Sequence, residues 1–194
     1  MNKLAIIILV VIFLVIVSGI FAYFLFQERE VSIMQFSMEE EIKTKLADFS
    51  EVNQEFDFLA QIPIEFEAEY MPQLSAINVY NPSSSENNNI EKSQLYITYF
   101  KANNFLTLRT VDITRADKIS VNGRDAILYE ITKKLEVPGF LGQPKWRNFI
   151  HKALDIRVSN SNPSIFYSFA YRPSLSEKMF NDFINSIEFK WALQ

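Results

Sequence analysis

The chain has no cysteine, one histidine and four glycines in 194 residues. The lack of cysteine excludes disulfides, a thiolate nucleophile, thiolate metal sites and acylation of the lipoprotein kind. With His151 alone, two-histidine metal sites and the H-E-x-x-H arrangement are excluded as well. Glycine is too sparse for a phosphate cradle: Gly139-Phe140-Leu141-Gly142 lacks the lysine of a P-loop. No G-x-S-x-G elbow is present to expose a nucleophilic serine. Positive charge is not in excess either. The 19 Lys+Arg against 23 Asp+Glu give a net charge of −4, whereas a nucleic-acid partner calls for a basic patch or stripe. The residues imply no cofactor.

What the sequence does have is one long hydrophobic run. From Leu4 to Phe26 there is no charged residue. As a helix this run is about 34 Å long at 1.5 Å per residue, enough to cross a hydrocarbon layer about 30 Å thick with some tilt. A cleaved signal has a shorter apolar core and a small-residue cleavage site. Val17-Ser18-Gly19 is the one candidate for such a site, and Ile20 to Phe26 continue apolar past it. A type IV pilin carries an acidic residue near the start of its helix, but nothing acidic precedes Glu28 here. The expected plan is a tail at 1–3, a signal-anchor helix at 4–26, a juxtamembrane linker and helix at 27–50, and a soluble domain at 51–194. That layout puts a single-pass protein in the cell membrane, with its domain extracytoplasmic. The short tail before the helix supports this orientation more than the small Lys/Arg difference does.

Ser37 and Glu40 have capping-box spacing, and Met38, Ile42 and Leu46 recur at helical spacing. Together they predict a helix over about 38–48. From Ile64 to Tyr70 the period becomes two, with Glu65, Glu67 and Glu69 on the alternate positions, which predicts a half-buried strand. Further strands are expected at Ala76–Tyr80, Gln94–Phe100, Thr110–Thr114, Lys118–Val121, Ala126–Ile131, Asn148–Val158 and Ser164–Tyr171. Asn122-Gly123 favours a type I′ turn between antiparallel strands. Ser174 and Glu177 repeat the capping-box spacing before the stripe Leu175, Met179, Phe180, Phe183, Ile184 and Ile187. A short strand over Ile187–Trp191 would close a sheet edge. The fold class is α+β: a mostly antiparallel β-sheet flanked by helices, preceded by one N-terminal transmembrane helix.

Four segments form a pattern of their own: Phe58-Leu59-Ala60-Gln61-Ile62-Pro63 with Glu67-Ala68-Glu69-Tyr70, Ser93-Gln94-Leu95-Tyr96-Ile97, Val121-Asn122-Gly123-Arg124-Asp125-Ala126 with Tyr129, and Phe180 through Phe189. This pattern resembles PsbP-like domains, in particular the membrane-anchored forms without an assigned activity. The family's usual aromatic after the early proline is replaced by Ile64-Glu65-Phe66. The resemblance implies an antiparallel sheet flanked by helices in an extrinsic domain that binds other complexes or assists their assembly. It carries over no catalytic residue.

Candidate chemistry is sparse. His151 could serve a hydrolase only if the fold brought a serine and a carboxylate to it. Glu65, Glu67 and Glu69 could supply a carboxylate pair of the glycosidase kind, although a solvated strand face explains them without chemistry. The Asn81–Asn89 loop lacks the acidic pattern of a calcium loop. The segment with the most binding character is Val137–Arg147, where a Pro/Gly-shaped loop carries Phe140, Leu141, Lys145, Trp146 and Arg147. These are the contact candidates, because Trp and Arg dominate binding hot spots. The competing expectation is that Phe140, Leu141 and Trp146 fold back over one sheet face. The sequence thus points to a non-enzymatic, membrane-tethered binding or assembly module. Its partners would be the bilayer, through residues 4–26, and another membrane or envelope protein. A cell-envelope hydrolase using His151 or a carboxylate pair is the alternative.

Overall fold

The computed structural model describes Tyr23, residues 42–106 and residues 108–190. The chain divides into two units, 1–42 and 43–194. In the first, Tyr23 is helical and Ile42 exposed. The expected membrane helix and the Ser37–Glu40 capping box otherwise lie outside the described residues. Among the described residues no helix is long and apolar enough to cross a membrane.

The second unit contains β1 (Thr44–Asp48), α1 (Phe49–Val52), β2 (Phe58–Pro63), β3 (Glu67–Met71), β4 (Ala76–Tyr80), β5 (Ser93–Ala102), β6 (Val111–Val121), β7 (Arg124–Lys133), β8 (His151–Arg157), β9 (Ser164–Tyr171), α2 (Glu177–Asn185) and β10 (Glu188–Phe189). Seven strands form one sheet in the order β3-β4-β5-β9-β8-β7-β6, and β1-β2-β10 form a small one. Every pairing is antiparallel. Alternation along these strands gives the large sheet two chemically different faces.

The first face is apolar. Ile77, Val79, Leu95, Ile97, Leu154, Ile156, Tyr167 and Phe169 pack in one cluster with Phe49, Phe58, Phe180, Phe183 and Ile184. Rings make much of this contact: Phe49 stacks on Phe58 at 4.5 Å, Tyr171 stacks on Phe180 at 3.9 Å, and Phe169 meets Phe183 edge-on at 5.8 Å. Such pairs add stabilisation beyond the area they bury. Phe180, Phe183 and Ile184 form the buried stripe of α2, as their spacing dictates.

Local signals and tertiary pairing disagree at several points. Thr44–Asp48, expected as helix, is strand β1, paired from Thr44↔Pro63 to Asp48↔Leu59. Leu46, counted toward a helical stripe, is 63% exposed, and the ladder with β2 overrides the period. Asp48 then caps α1 by accepting from Ser50 N–H at 3.0 Å. The strand expected from Ile64 begins at Glu67, because a turn from Pro63 to Phe66 leaves Ile64 and Glu65 outside it. The strands expected at Thr110–Thr114 and Lys118–Val121 are one strand, Val111–Val121, with a bulge between Ile113 and Arg115. The cap of α2 is Ser176, whose side chain accepts from Met179 N–H, rather than Ser174. Leu175 is buried in the main core, and a turn from Arg172 to Leu175 comes before the helix. The closing strand is Glu188–Phe189 and joins β2 in the small sheet; Trp191 lies outside the described residues. At Asn122-Gly123 both φ values are positive, 49° and 77°, and the turn joins Val121 to Arg124 as expected.

Candidate functional site

The second face of the large sheet has mixed chemistry. Register places Asn78, Tyr96, Ala170, Ala153 and Tyr129 in one row across five strands. Two small alanines between two tyrosines leave a slot, and the segment after β7 fills it. Trp146 is 8% exposed and clusters with Tyr96, Tyr129, Ala153 and Ala170. Its Nε1–H donates to Ser93 O at 3.2 Å, and its ring meets His151 edge-on at 5.5 Å. Arg147 follows it inward, with Cζ 5.0 Å from the Tyr96 ring and 5.8 Å from the Phe140 ring. Its Nη1 donates to Gln143 Oε1.

The contact candidates therefore separate. Trp146 and Arg147 anchor the segment to its own sheet, and Phe140 is half-buried against the same cluster. Leu141 is 90% exposed and Lys145 is exposed. The fold-back expectation holds for Trp146 and in part for Phe140, but not for Leu141. Sequence could not make this division, because whether a loop tryptophan faces inward depends on a sheet row built from four other segments.

Buried polar groups surround the anchor. His151 Nδ1–H donates to Phe149 O at 2.8 Å, while Nε2 is buried without a partner among the described residues. Burial holds the imidazole neutral by lowering its pKa to about 4. Burial also raises Asp155 to about 6, against the opposing effects of the Ser168 hydroxyl and of Arg147. Tyr96 is pushed up to about 12, and Arg147 is lowered, in both cases mainly by burial. This is a packed polar layer, and among the described residues no nucleophile is hydrogen-bonded to the histidine. The acidic strand face is similarly occupied. Glu67 accepts from Tyr80 Oη at 2.8 Å, and Glu69 accepts from Asn89 at 3.0 Å and Asn78 at 3.3 Å. Glu65 sits apart in the Pro63–Phe66 turn. No metal-holding cluster occurs among the described residues.

A group of exposed apolar residues lies at one end of the large sheet. Ile131 pairs with His151, so the end of β7 lies beside the start of β8. Leu135 follows β7 and is 99% exposed; Phe149 and Ile150 precede β8 and are also exposed. The loop tip is drawn to the same end, where Phe140 N–H donates to Asn148 Oδ1 at 3.2 Å. Between this loop and Asn88–Glu91 runs an open groove of about 450 Å³, with Phe140, Leu141, Lys145 and Ile90 in its walls. Lys145 crosses it by donating its backbone N–H to Glu91 Oε2 at 3.3 Å. Leu135, Phe149 and Ile150 were missed in the sequence because an apolar residue at a strand boundary looks like core.

No protein-family model matches the chain, and no curated protein is similar to it in sequence. Among solved structures, the chain is similar to cyanobacterial PsbP (CyanoP) from Synechocystis sp. PCC 6803, determined in solution. The identity is 8% and the TM-score 0.46, over 78% of this chain and 95% of that one. A crystal structure from Bacteroides thetaiotaomicron VPI-5482 is similar at 12% identity and TM-score 0.39, over 72% of this chain. The chain spans about half the length of that second structure, 47%. At these values neither likeness informs activity or partners.

Proposed function

We propose that the chain is a non-enzymatic module, tethered to the cell membrane by residues 4–26 with its domain extracytoplasmic, that docks another membrane or envelope protein. The docking surface is the apolar end of the large sheet, presented by Leu135, Leu141, Phe149 and Ile150 with Lys145 at its rim. The observation that carries this reading is the contrast within one segment. Trp146 and Arg147 are tied down while Leu141, between Phe140 and Gly142, is 90% exposed. An anchored loop holding an apolar side chain in water loses little flexibility when a partner covers it, which favours binding.

The test is photo-crosslinking in intact membranes from residues placed at Leu141 and at Phe149. Asn160, exposed in the β8–β9 loop at the opposite end of the sheet, serves as the control. Discrete adducts to one protein from the first two positions, absent from Asn160, support the reading. Equal labelling from all three positions overturns it.

A further inference from the structure

Farther along the second face, register brings Ser120, Asp125, Arg157 and Phe166 into one row, and Lys118, Ile127 and Asp155 into the next. Arg157 lies against a pair of rings in edge contact, its Cζ 5.4 Å from the centroids of both Phe105 and Phe166, which are 5.0 Å from each other. Its hydrogen-bonding capacity is nevertheless poorly met. Nη2 donates to Asn104 Oδ1 at 3.3 Å, and Nη1 is 3.7 Å from the carboxylate of Asp125, a largely exposed residue. Its Nε is buried without a partner among the described residues. These contacts are long for hydrogen bonds, so the guanidinium is fixed in place without being satisfied. Lys118, exposed on the edge strand β6, is absent from the ion pairs formed among the described residues.

Between these groups lies a cleft of about 450 Å³, with Phe105 and Ile127 as apolar lining and Arg157, Lys118 and Asp125 as its charged groups. That volume is within the range of small-molecule sites. Two cations against one carboxylate, beside an aromatic wall, complement a small anion with an apolar body. We propose that this cleft binds a monocarboxylate with a compact apolar body. The carboxylate lies against Arg157 and Lys118, and the body against Phe105 and Ile127. A carboxylate fits better than a phosphate, because the planar fork of the guanidinium, packed against the ring pair, matches a planar acceptor. The higher charge of a phosphate would also be set against Asp125.

The full chain in lipid nanodiscs, labelled at isoleucine methyls, is titrated with benzoate, benzylammonium and inorganic phosphate while the Ile127 methyl signal is followed. Benzoate is expected to give a saturable shift in the millimolar range, and the other two probes none. Lys118→Glu, an exposed edge-strand change that leaves the fold intact, is expected to weaken benzoate binding about tenfold. Arg157→Lys keeps the charge but loses the planar fork, and is also expected to weaken it, with dispersed methyl signals showing that the variant is folded. No saturable benzoate shift, an equal shift with benzylammonium or phosphate, or unchanged affinity in Lys118→Glu overturns the proposal.

Discussion

The two faces of the seven-stranded sheet are covered in different ways. One is packed by aromatic and aliphatic side chains from the small sheet, α1 and α2. The other is covered near its middle by the segment between β7 and β8, inserted over a row whose centre is two alanines. The first face derives its stability from area and ring contacts. The second combines burial with charge, because Arg147, His151 and Asp155 come inside along with Trp146. Titration should therefore be felt on the second face, and truncation on both.

The largest effect is expected on the first face. Phe58 has no exposed surface and contacts Phe49, Tyr167 and Phe169. Phe58→Ala should cost about 4 kcal/mol in denaturant unfolding, as large aromatic cavities do. Trp146→Ala should cost about 3 kcal/mol by the same measurement. A loss under about 0.5 kcal/mol, the range of surface substitutions, would break the comparison by showing that the second face is not covered by this residue.

The third expectation concerns pH. Asp155 has its folded pKa raised to about 6, so the folded state takes up that proton first, and acidification from pH 6 toward 4 favours folding through this group. His151 has its folded pKa lowered to about 4, so the unfolded state takes up the proton first, and the same acidification from about pH 6.5 disfavours folding. The two effects oppose each other over nearly the same window. Asp155→Asn removes only the favourable one. Relative to the parent, the variant should lose stability between pH 6.5 and 4, by on the order of 2–3 kcal/mol. Parallel stability–pH curves for the two proteins would contradict the buried state of Asp155.

Smaller still is Gly123→Ala, expected to cost about 1 kcal/mol because alanine resists the positive φ of 77°. No atom outside the turn crowds that position, so the loss reads backbone conformation alone. An unchanged unfolding midpoint would show that the turn is not held there.

What could be read in the sequence follows the same division. The strands of the large sheet and the Asn122-Gly123 turn were legible because period-two alternation and positive-φ residues are local signals. Strand β1 was not, because Leu46 and Ile42 imitate a helical stripe while the deciding contact is with Pro63 to Leu59, in a later segment of the chain. The loop around Val137–Arg147 stood out by composition, and it does carry exposed Leu141 and Lys145. Its inward half depends on Tyr96, Ala153 and Ala170, which are far apart in sequence and adjacent only through register.

The smallest folding effect belongs to the residue with the largest proposed role in binding. Leu141→Ser should change stability by less than about 0.5 kcal/mol, since the side chain is almost fully exposed. Partner recovery from crosslinked membranes should then be measured for Leu141→Ser combined with Phe149→Ser, alongside the unfolding curve of the same variant. The account predicts an unfolding midpoint close to the parent's with loss of the crosslinked partner. An equally stable variant that retains the partner in full would contradict it.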